Sequence, residues 1–392
     1  MTFTDRIDAR DLDVLRASGG MKWIDPEVPI GAFVAEMDFG VAPVITKALH
    51  DAVDDGRFGY MPATISDELR EATAEKQRVR HGWQVDAADV FPVPDVIKAL
   101  EVAIEHFTAA GSKVIVPTPS YMPFLFVPPM LGREVLEVPL RDDEGVARFD
   151  LAAIERAFDD GGELLVLCNP YNPLGRVFTT EEMHAISEVV ERKGGRVFSD
   201  EIWSSLVFSG ATHVPYASIS PLAAGHTVTA TSASKAFNLP GLKCAQLIVS
   251  NDADRAVMDE IGMWVGHGTS NIGAIANTAA YREGQPWLDD VVAYLDGNRR
   301  ALVELTEEHL PGVRVAAPEG TYVGWLDFRE TGIESPGEFF REHAGVGLTD
   351  GSACGEAGRG FARFIFAMPR PVMRLAFERM GEAMRMASSK VA

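Results

Sequence analysis

The sequence predicts an α/β fold, a mostly parallel central sheet flanked by helices, with a smaller α+β unit at its C-terminal end. Three observations carry this. Between Lys113 and Val249, short apolar runs rich in β-branched residues alternate with amphipathic helical stretches, which is the pattern of repeated strand–helix–strand units. Leu164-Leu165-Val166-Leu167-Cys168 is apolar at every position, as expected of a strand covered on both faces. The chain has 392 residues, 46% hydrophobic and 24% charged, enough to bury a large core and to form two domains.

Taken in order, the first forty or so residues are irregular, with Gly19-Gly20, Pro26, Pro29 and Gly31. They read as an arm that ends in a short strand over Ala32–Phe39. Pro43 to Val53 places Val44, Ala48 and Ala52 on one helical face. Phe58-Gly59-Tyr60 falls in a loop, and Glu68 to His81 is a charged surface helix. Val90-Phe91-Pro92-Val93-Pro94 then leads to a helix from Asp95 to about Ala109, with Val96, Leu100, Ala103 and Phe107 sharing a face. Strands follow at Val114–Val116 and Val135–Val138, and Asp150 caps the next helix. After the Leu164–Cys168 strand, Thr179 and Glu182 form a capping box for a helix stopped by Gly194-Gly195. Arg196–Ser199 and Thr227–Ala230 are further strands, Leu247–Val249 closes the sheet, and one helical stretch from about Ala253 to Arg282 leads out of it. Beyond Trp287 come a long helix to His309, strands at Thr321–Phe328 and Phe361–Phe366, and a final helix from Pro371. The expected division is an arm at 1–44, a large domain at 45–286 and a small domain at 287–392.

The formal net charge of -21 disfavours partners with a phosphate backbone and anionic membrane surfaces, so any bound anion must be captured locally. The N-terminus lacks the apolar core of a secretory signal, and Pro128-Pro129 interrupts the most apolar stretch, so a soluble cytoplasmic protein is expected. Cys168, Cys244 and Cys354 are too scattered for a disulfide framework and have no metal-type spacing, which makes them candidates for buried small residues.

Candidate chemistry centres on Thr229 to Lys243, where Lys235 sits among small hydroxylic residues just past a strand. A lysine amine can condense with a carbonyl, and Ser232, Ser234 and Lys243 could hold an anionic tail beside it. By itself this segment reads more readily as a solvated polar loop. Its setting adds weight, since open α/β sheets bind ligands beyond the carboxyl ends of their strands. Tyr121, Asn172, Asp200 and Lys235 all follow such ends.

Asn172-Pro173-Leu174-Gly175, Asp200-Glu201-Ile202 and Ser232-Ala233-Ser234-Lys235 stand 28 and 35 residues apart at their key positions, and Lys243 follows Lys235 by 8. In these motifs the chain resembles fold type I pyridoxal-phosphate enzymes of the aminotransferase class I/II superfamily over nearly its whole length. Lys22-Trp23, Ala35–Phe39, Phe58-Gly59-Tyr60, Ser234–Leu242 and Thr321–Asp327 resemble the cystathionine β-lyase and cysteine-S-conjugate β-lyase branch.

The resemblance implies that pyridoxal 5'-phosphate is the cofactor, held covalently by Lys235, which later serves as the base at the substrate Cα. Asp200 would pair with the pyridine nitrogen, Asn172 with the ring oxygen, and Tyr121 would stack on the ring. Ser232, Ser234, Lys243 and the amides of Val96 and Ile97 would hold the phosphate, with Tyr60 contributed from the neighbouring subunit of a homodimer. Arg363 would clamp the substrate carboxylate, with Arg359, Arg370 and Arg374 as rivals, and Ala35 and Trp203 would face the substrate. Trp203, Tyr171, Asp95 and Phe366 depart from the usual pattern. The implied reaction is cleavage of a cysteine thioether to thiol, pyruvate and ammonia. An aminotransferase, or a catalytically silent regulator on the same fold, are the alternatives.

Overall fold

The computed structural model describes residues 1–143 and 145–391. Its centre is a seven-stranded sheet whose strands lie in the order Val90–Val93, Ala245–Val249, Thr227–Thr231, Arg196–Asp200, Gly162–Cys168, Lys113–Thr118 and Val135–Pro139. All neighbouring pairs are parallel except those made by Ala245–Val249, which runs antiparallel to both of its neighbours. The four strands ending at Thr231, Asp200, Cys168 and Thr118 are consecutive in the sheet, so the loops that follow them open side by side on one rim. Their residues are almost all buried, as strands covered by helices on both faces must be.

The helices start and stop where local chemistry dictates. Thr179 and Glu182 form the capping box of Thr180–Lys193, which ends at Gly194 with φ 63°. Asp150 caps Leu151–Asp159, and Asp95 caps Val96–His106. The helix Ala63–His81 ends at Gly82 with φ 68°, a left-handed position that glycine enters without a Cβ clash.

Beyond the large sheet, a four-stranded antiparallel sheet has the order Arg314–Val315, Val323–Asp327, Phe361–Ile365, Thr349–Asp350. The helices Gln285–His309 and Arg370–Val391 accompany it. Ile30–Gly31 pairs in parallel with Val346–Gly347, which ties the N-terminal arm to this unit.

Two expected elements differ. The strand expected over Ala32–Phe39 does not form and pairing stops at Ile30–Gly31 just before it, because the polar groups of the following segment are claimed outside any ladder. The Asp38 amide donates to the Ala367 carbonyl, the Met37 amide to Asn238 Oδ1, and the Ala35 carbonyl accepts from two side chains described below. The single helical stretch expected over Ala253–Arg282 is two helices, Asp252–Val265 and Asn271–Glu283, separated by a short 3₁₀ turn at Gly266–Gly268. Ser270 restarts it as an N-cap, its hydroxyl accepting from the Gly273 amide. That break lets the second helix press against the loop carrying Lys243: a Cβ on Gly273 would stand 2.1 Å from the Leu242 carbonyl oxygen.

Candidate active site

The rim loops enclose a cavity of about 210 Å³ lined by Ala35, Tyr121, Asn172, Asp200, Trp203 and Lys235, with Val96, Ile97, Ser232, Ser234 and Lys243 toward one end. The order of the strands sets the order of the side chains. Asp200 ends one of four neighbouring strands and Lys235, Asn172 and Tyr121 follow the other three, so residues more than a hundred positions apart in sequence meet in one space.

Lys235 is half-buried, and its Nζ donates to the Ala35 carbonyl at 3.0 Å while standing 5.6 Å from the Trp203 ring centroid. Burial, and then the neighbouring Arg363 charge, lower its pKa to about 8, so a neutral amine is accessible near neutral pH. Tyr322 Oη donates to the same Ala35 carbonyl at 2.9 Å. Asn238, at φ 60°, reaches back from the lysine loop with its amide nitrogen on the Met37 carbonyl at 2.9 Å. The arm segment is held on its other side by a buried ion pair, Lys22 Nζ to Asp38 Oδ2 at 2.8 Å, and by the Trp23 indole N–H on Asp38 Oδ1 at 2.8 Å.

Asp200 is 3% exposed, and among the described residues its carboxylate accepts one hydrogen bond, from the Ile202 amide to Oδ1 at 3.0 Å. Burial without a closer donor pushes it up to about 7. Such a group suits a proton-bearing partner placed in the cavity. Behind it, Glu201 accepts from Ser199 Oγ and the Tyr216 amide and meets His213 Nε2 at 3.2 Å, which fastens the end of this strand.

Arg363 is 3% exposed and comes from the small sheet to meet Asn172, one of the residues lining the cavity. Its guanidinium donates to the Phe33 carbonyl at 2.9 Å, Thr349 Oγ1 at 3.2 Å and Asn172 Oδ1 at 3.4 Å, while Nε is buried without a hydrogen-bond partner. A buried guanidinium with an unmatched donor is a ready carboxylate site. Its rivals lie elsewhere: Arg359 pairs with Glu356 on the surface, Arg374 with Glu308, and Arg370 with Asn298 and Tyr294.

At the other end, the helix Val96–His106 points its N-terminus at the cavity, where free amides and the helix dipole favour an anion. Lys243 stands beside it. Ser234 lines this end, whereas the Ser232 hydroxyl is already used, donating to the Cys244 carbonyl at 2.8 Å and accepting from the Ser234 amide at 3.0 Å. Ser232 thus braces the loop. Tyr121 is packed edge-on against Phe124 and lines the cavity wall.

Tyr60 lies outside this cavity. It is 91% exposed, stacks on His267, and lines a separate open groove of about 740 Å³ with Phe58 and Met263. Of the four departures from the usual pattern, two face away. The Tyr171 ring packs on Phe149 and Phe178 with its hydroxyl on the Pro117 carbonyl, and Phe366 is wholly buried. Trp203 forms a cavity wall, edge to face with Tyr322 at 4.6 Å, and Asp95 sits at the anion end. Sequence reasoning did not single out Tyr322, Asn238 or Thr349 as contributors. Tyr322 and Asn238 stand inside quoted motifs, but a hydrogen bond to a carbonyl 287 residues away leaves no local signature.

The donor set fits pyridoxal phosphate. It offers a half-buried amine of lowered pKa, a buried carboxylate that needs a proton donor, and an anion-binding helix start with a lysine beside it. The aminotransferase class I and II family matches residues 34–380. A cystathionine β-lyase of Corynebacterium glutamicum is 39% identical over 380 residues, covering 95% of this chain and 99% of that protein. A Corynebacterium diphtheriae structure, proposed to be a pyridoxal-phosphate-dependent β-cystathionase, superposes with a TM-score of 0.91 at 40% identity and covers 97% of this chain and 99% of its own. The pyridoxal-phosphate-bound C–S lyase of Staphylococcus hominis gives a TM-score of 0.87 at 26% identity, over 98% and 99% of the two chains.

Proposed function

The chain belongs to the aminotransferase class I and II family, and from that premise we propose that it is a pyridoxal-phosphate-dependent carbon–sulfur β-lyase that cleaves cystathionine or another S-substituted cysteine to a thiol, pyruvate and ammonia. One observation carries the reading at the level of residues: Lys235, of lowered pKa, shares a cavity with Asp200 and with Asn172, whose Oδ1 accepts from the buried Arg363.

Bound pyridoxal phosphate supplies an electron sink for negative charge at the substrate Cα. Lys235 would hold the cofactor through Nζ and, when that nitrogen is free, would take the substrate's Cα proton on it. The Ala35 carbonyl, 3.0 Å from Nζ, keeps the free amine inside the cavity between these roles. Asp200 holds the proton on the ring nitrogen, which strengthens the sink, and Asn172 donates to the ring oxygen. Arg363 receives the substrate carboxylate and so fixes which bond at Cα faces Lys235. The helix start at Val96 and Ile97, with Ser234 and Lys243, anchors the phosphate, and Trp203 with Tyr322 walls off water. The thiolate then leaves Cβ with the bonding pair. The three-carbon remainder is released as 2-aminoacrylate, which water converts to pyruvate and ammonia.

A homodimer with shared sites goes with this reading. It is supported by the exposed Phe58, Tyr60, Met263 and Trp264, which place large apolar surface around the second groove, with Tyr60 as the residue offered to the partner's cofactor. The division into an arm at 1–44 and domains at 45–286 and 287–392 follows the two sheets, with Arg363 supplied by the smaller one. Among the described residues no helix is long and apolar enough to cross a membrane, and the reading places the enzyme in the cytoplasm.

The deciding experiment incubates the holoenzyme with S-alkylcysteine and no keto-acid acceptor. Equal amounts of pyruvate and free thiol are expected. Strict dependence on an acceptor would make the enzyme a transaminase and sink the lyase reading.

A further inference from the structure

The anion end of the cavity contains a group that opposes an anion. Asp95 is the N-cap of Val96–His106: its Oδ1 accepts from the Lys98 amide at 2.8 Å, and its Oδ2 meets Lys243 Nζ at 2.9 Å. One carboxylate therefore occupies both positive features of that end, the helix start and the lysine. The lysine is placed there by its backbone. Lys243 has a left-handed φ of 50°, its carbonyl accepts from the Ser270 amide at 3.0 Å, and Gly273 packs closely on the preceding residue. The two side chains are 59% and 39% exposed, so the ion pair adds little to the stability of the fold. Its consequence falls on whatever anion binds next to it.

We propose that Asp95 is a built-in competitor for the cofactor's phosphate, a residue that sets how tightly this chain retains pyridoxal phosphate. The inference rests on the reading of Val96, Ile97 and Lys243 as the phosphate cup. Without the cofactor, Asp95 neutralises Lys243 and the helix start. With it, a phosphate close enough to accept from Lys243 shares that ammonium with a carboxylate, and like charges on one cation repel. Asp95 keeps its capping role in both states through Oδ1, so the competition resides in its charge and not in its shape. The phosphate end thus holds the cofactor more loosely than the same cup without that charge, and retention leans more heavily on Lys235 and Asp200 at the ring.

Asp95→Asn isolates the charge, because asparagine preserves a capping oxygen. Pyridoxal phosphate is titrated into cofactor-stripped wild-type and variant enzyme, followed by visible absorbance and tryptophan fluorescence. Pyridoxal, which lacks the phosphate, serves as the second probe. The expected result is a Kd for pyridoxal phosphate at least about fivefold tighter in the variant, with pyridoxal changed by less than about twofold. Asp95→Ser, which also caps, gives the same pattern and stands in if the first variant folds poorly. An unchanged or weaker Kd for pyridoxal phosphate overturns the proposal, as does an equal gain for pyridoxal. Lys243→Met tests the cup itself and should weaken pyridoxal phosphate at least about tenfold. If it leaves binding unchanged, the reading of the cup fails and the inference with it. If Lys243→Met weakens binding but Asp95→Asn does not tighten it, only the competitor role fails.

Discussion

Replacing Asp200 by asparagine in the cofactor-free protein probes how the cavity is charged. The carboxyl sits at about 7 in the folded chain against 3.8 for the free side chain, chiefly because burial penalises the ionised form. Between those two values the folded state binds more protons than the unfolded state, so this group makes stability fall as pH rises through the window. A rise of about three pH units, at about 1.4 kcal/mol each, amounts to roughly 4 kcal/mol of destabilisation fully present above pH 7 and absent below pH 4. Asparagine is nearly isosteric and does not titrate. Denaturant unfolding of both proteins at pH 5, 6, 7 and 8, without cofactor, should show the variant gaining on the wild type by up to about 1.4 kcal/mol per unit below pH 7 and levelling off above it. In the holoenzyme the order reverses, because the carboxylate then has a proton to hold, and turnover of the variant should drop about 10²- to 10³-fold. A stability difference independent of pH from 5 to 8 would refute the reasoning, since it would mean that Asp200 is already ionised at little cost in the empty cavity.

Lys235→Ala should abolish thiol release, by at least about 10³-fold, and remove the visible absorbance change on adding cofactor, since both roles depend on one nitrogen. Arg363→Lys keeps the charge but loses the fork that matches a carboxylate; kcat/KM for a cysteine thioether should fall about 10²-fold, mostly in KM, as initial-rate kinetics would show. Asp38→Leu leaves Lys22 buried without its partner and strips the Trp23 indole of its acceptor, so the midpoint of chemical unfolding should report a loss of about 3–5 kcal/mol. The double change Lys22→Met, Asp38→Leu should recover part of that loss.

The alternation of apolar runs and amphipathic helices was enough to mark out the α/β sheet, because strand and helix periods are local properties of the chain. For the same reason the residues just past the strand ends, Tyr121, Asn172, Asp200 and Lys235, stood out as candidates: each follows a recognisable strand, and in a parallel sheet those ends share a rim. The sequence also carried the caps at Asp150 and Thr179, which depend on neighbours three residues away. Its errors came where backbone polar groups are satisfied at long range. The segment after Gly31 looked like a strand, yet its hydrogen bonds go to Ala367, Asn238, Lys235 and Tyr322, and no local pattern announces partners about 200 or more residues away.

Tertiary structure decided what each candidate can do. Of the four arginines it set only Arg363 against Asn172 at the cavity, and it turned Tyr171 and Phe366 into packing while leaving Trp203 as a wall. It lowered the pKa of Lys235 and raised that of Asp200, since burial is a property of the folded surroundings and not of the residue. It also set Asp95 on Lys243, across 148 residues, where the sequence alone marked a helix cap that departs from the usual pattern and would repel an anion. Residue types and periodicity determined that a lysine, a carboxylate and an anion-binding helix start would exist; distance and solvent exclusion, which only the folded chain creates, determined how they act on one another.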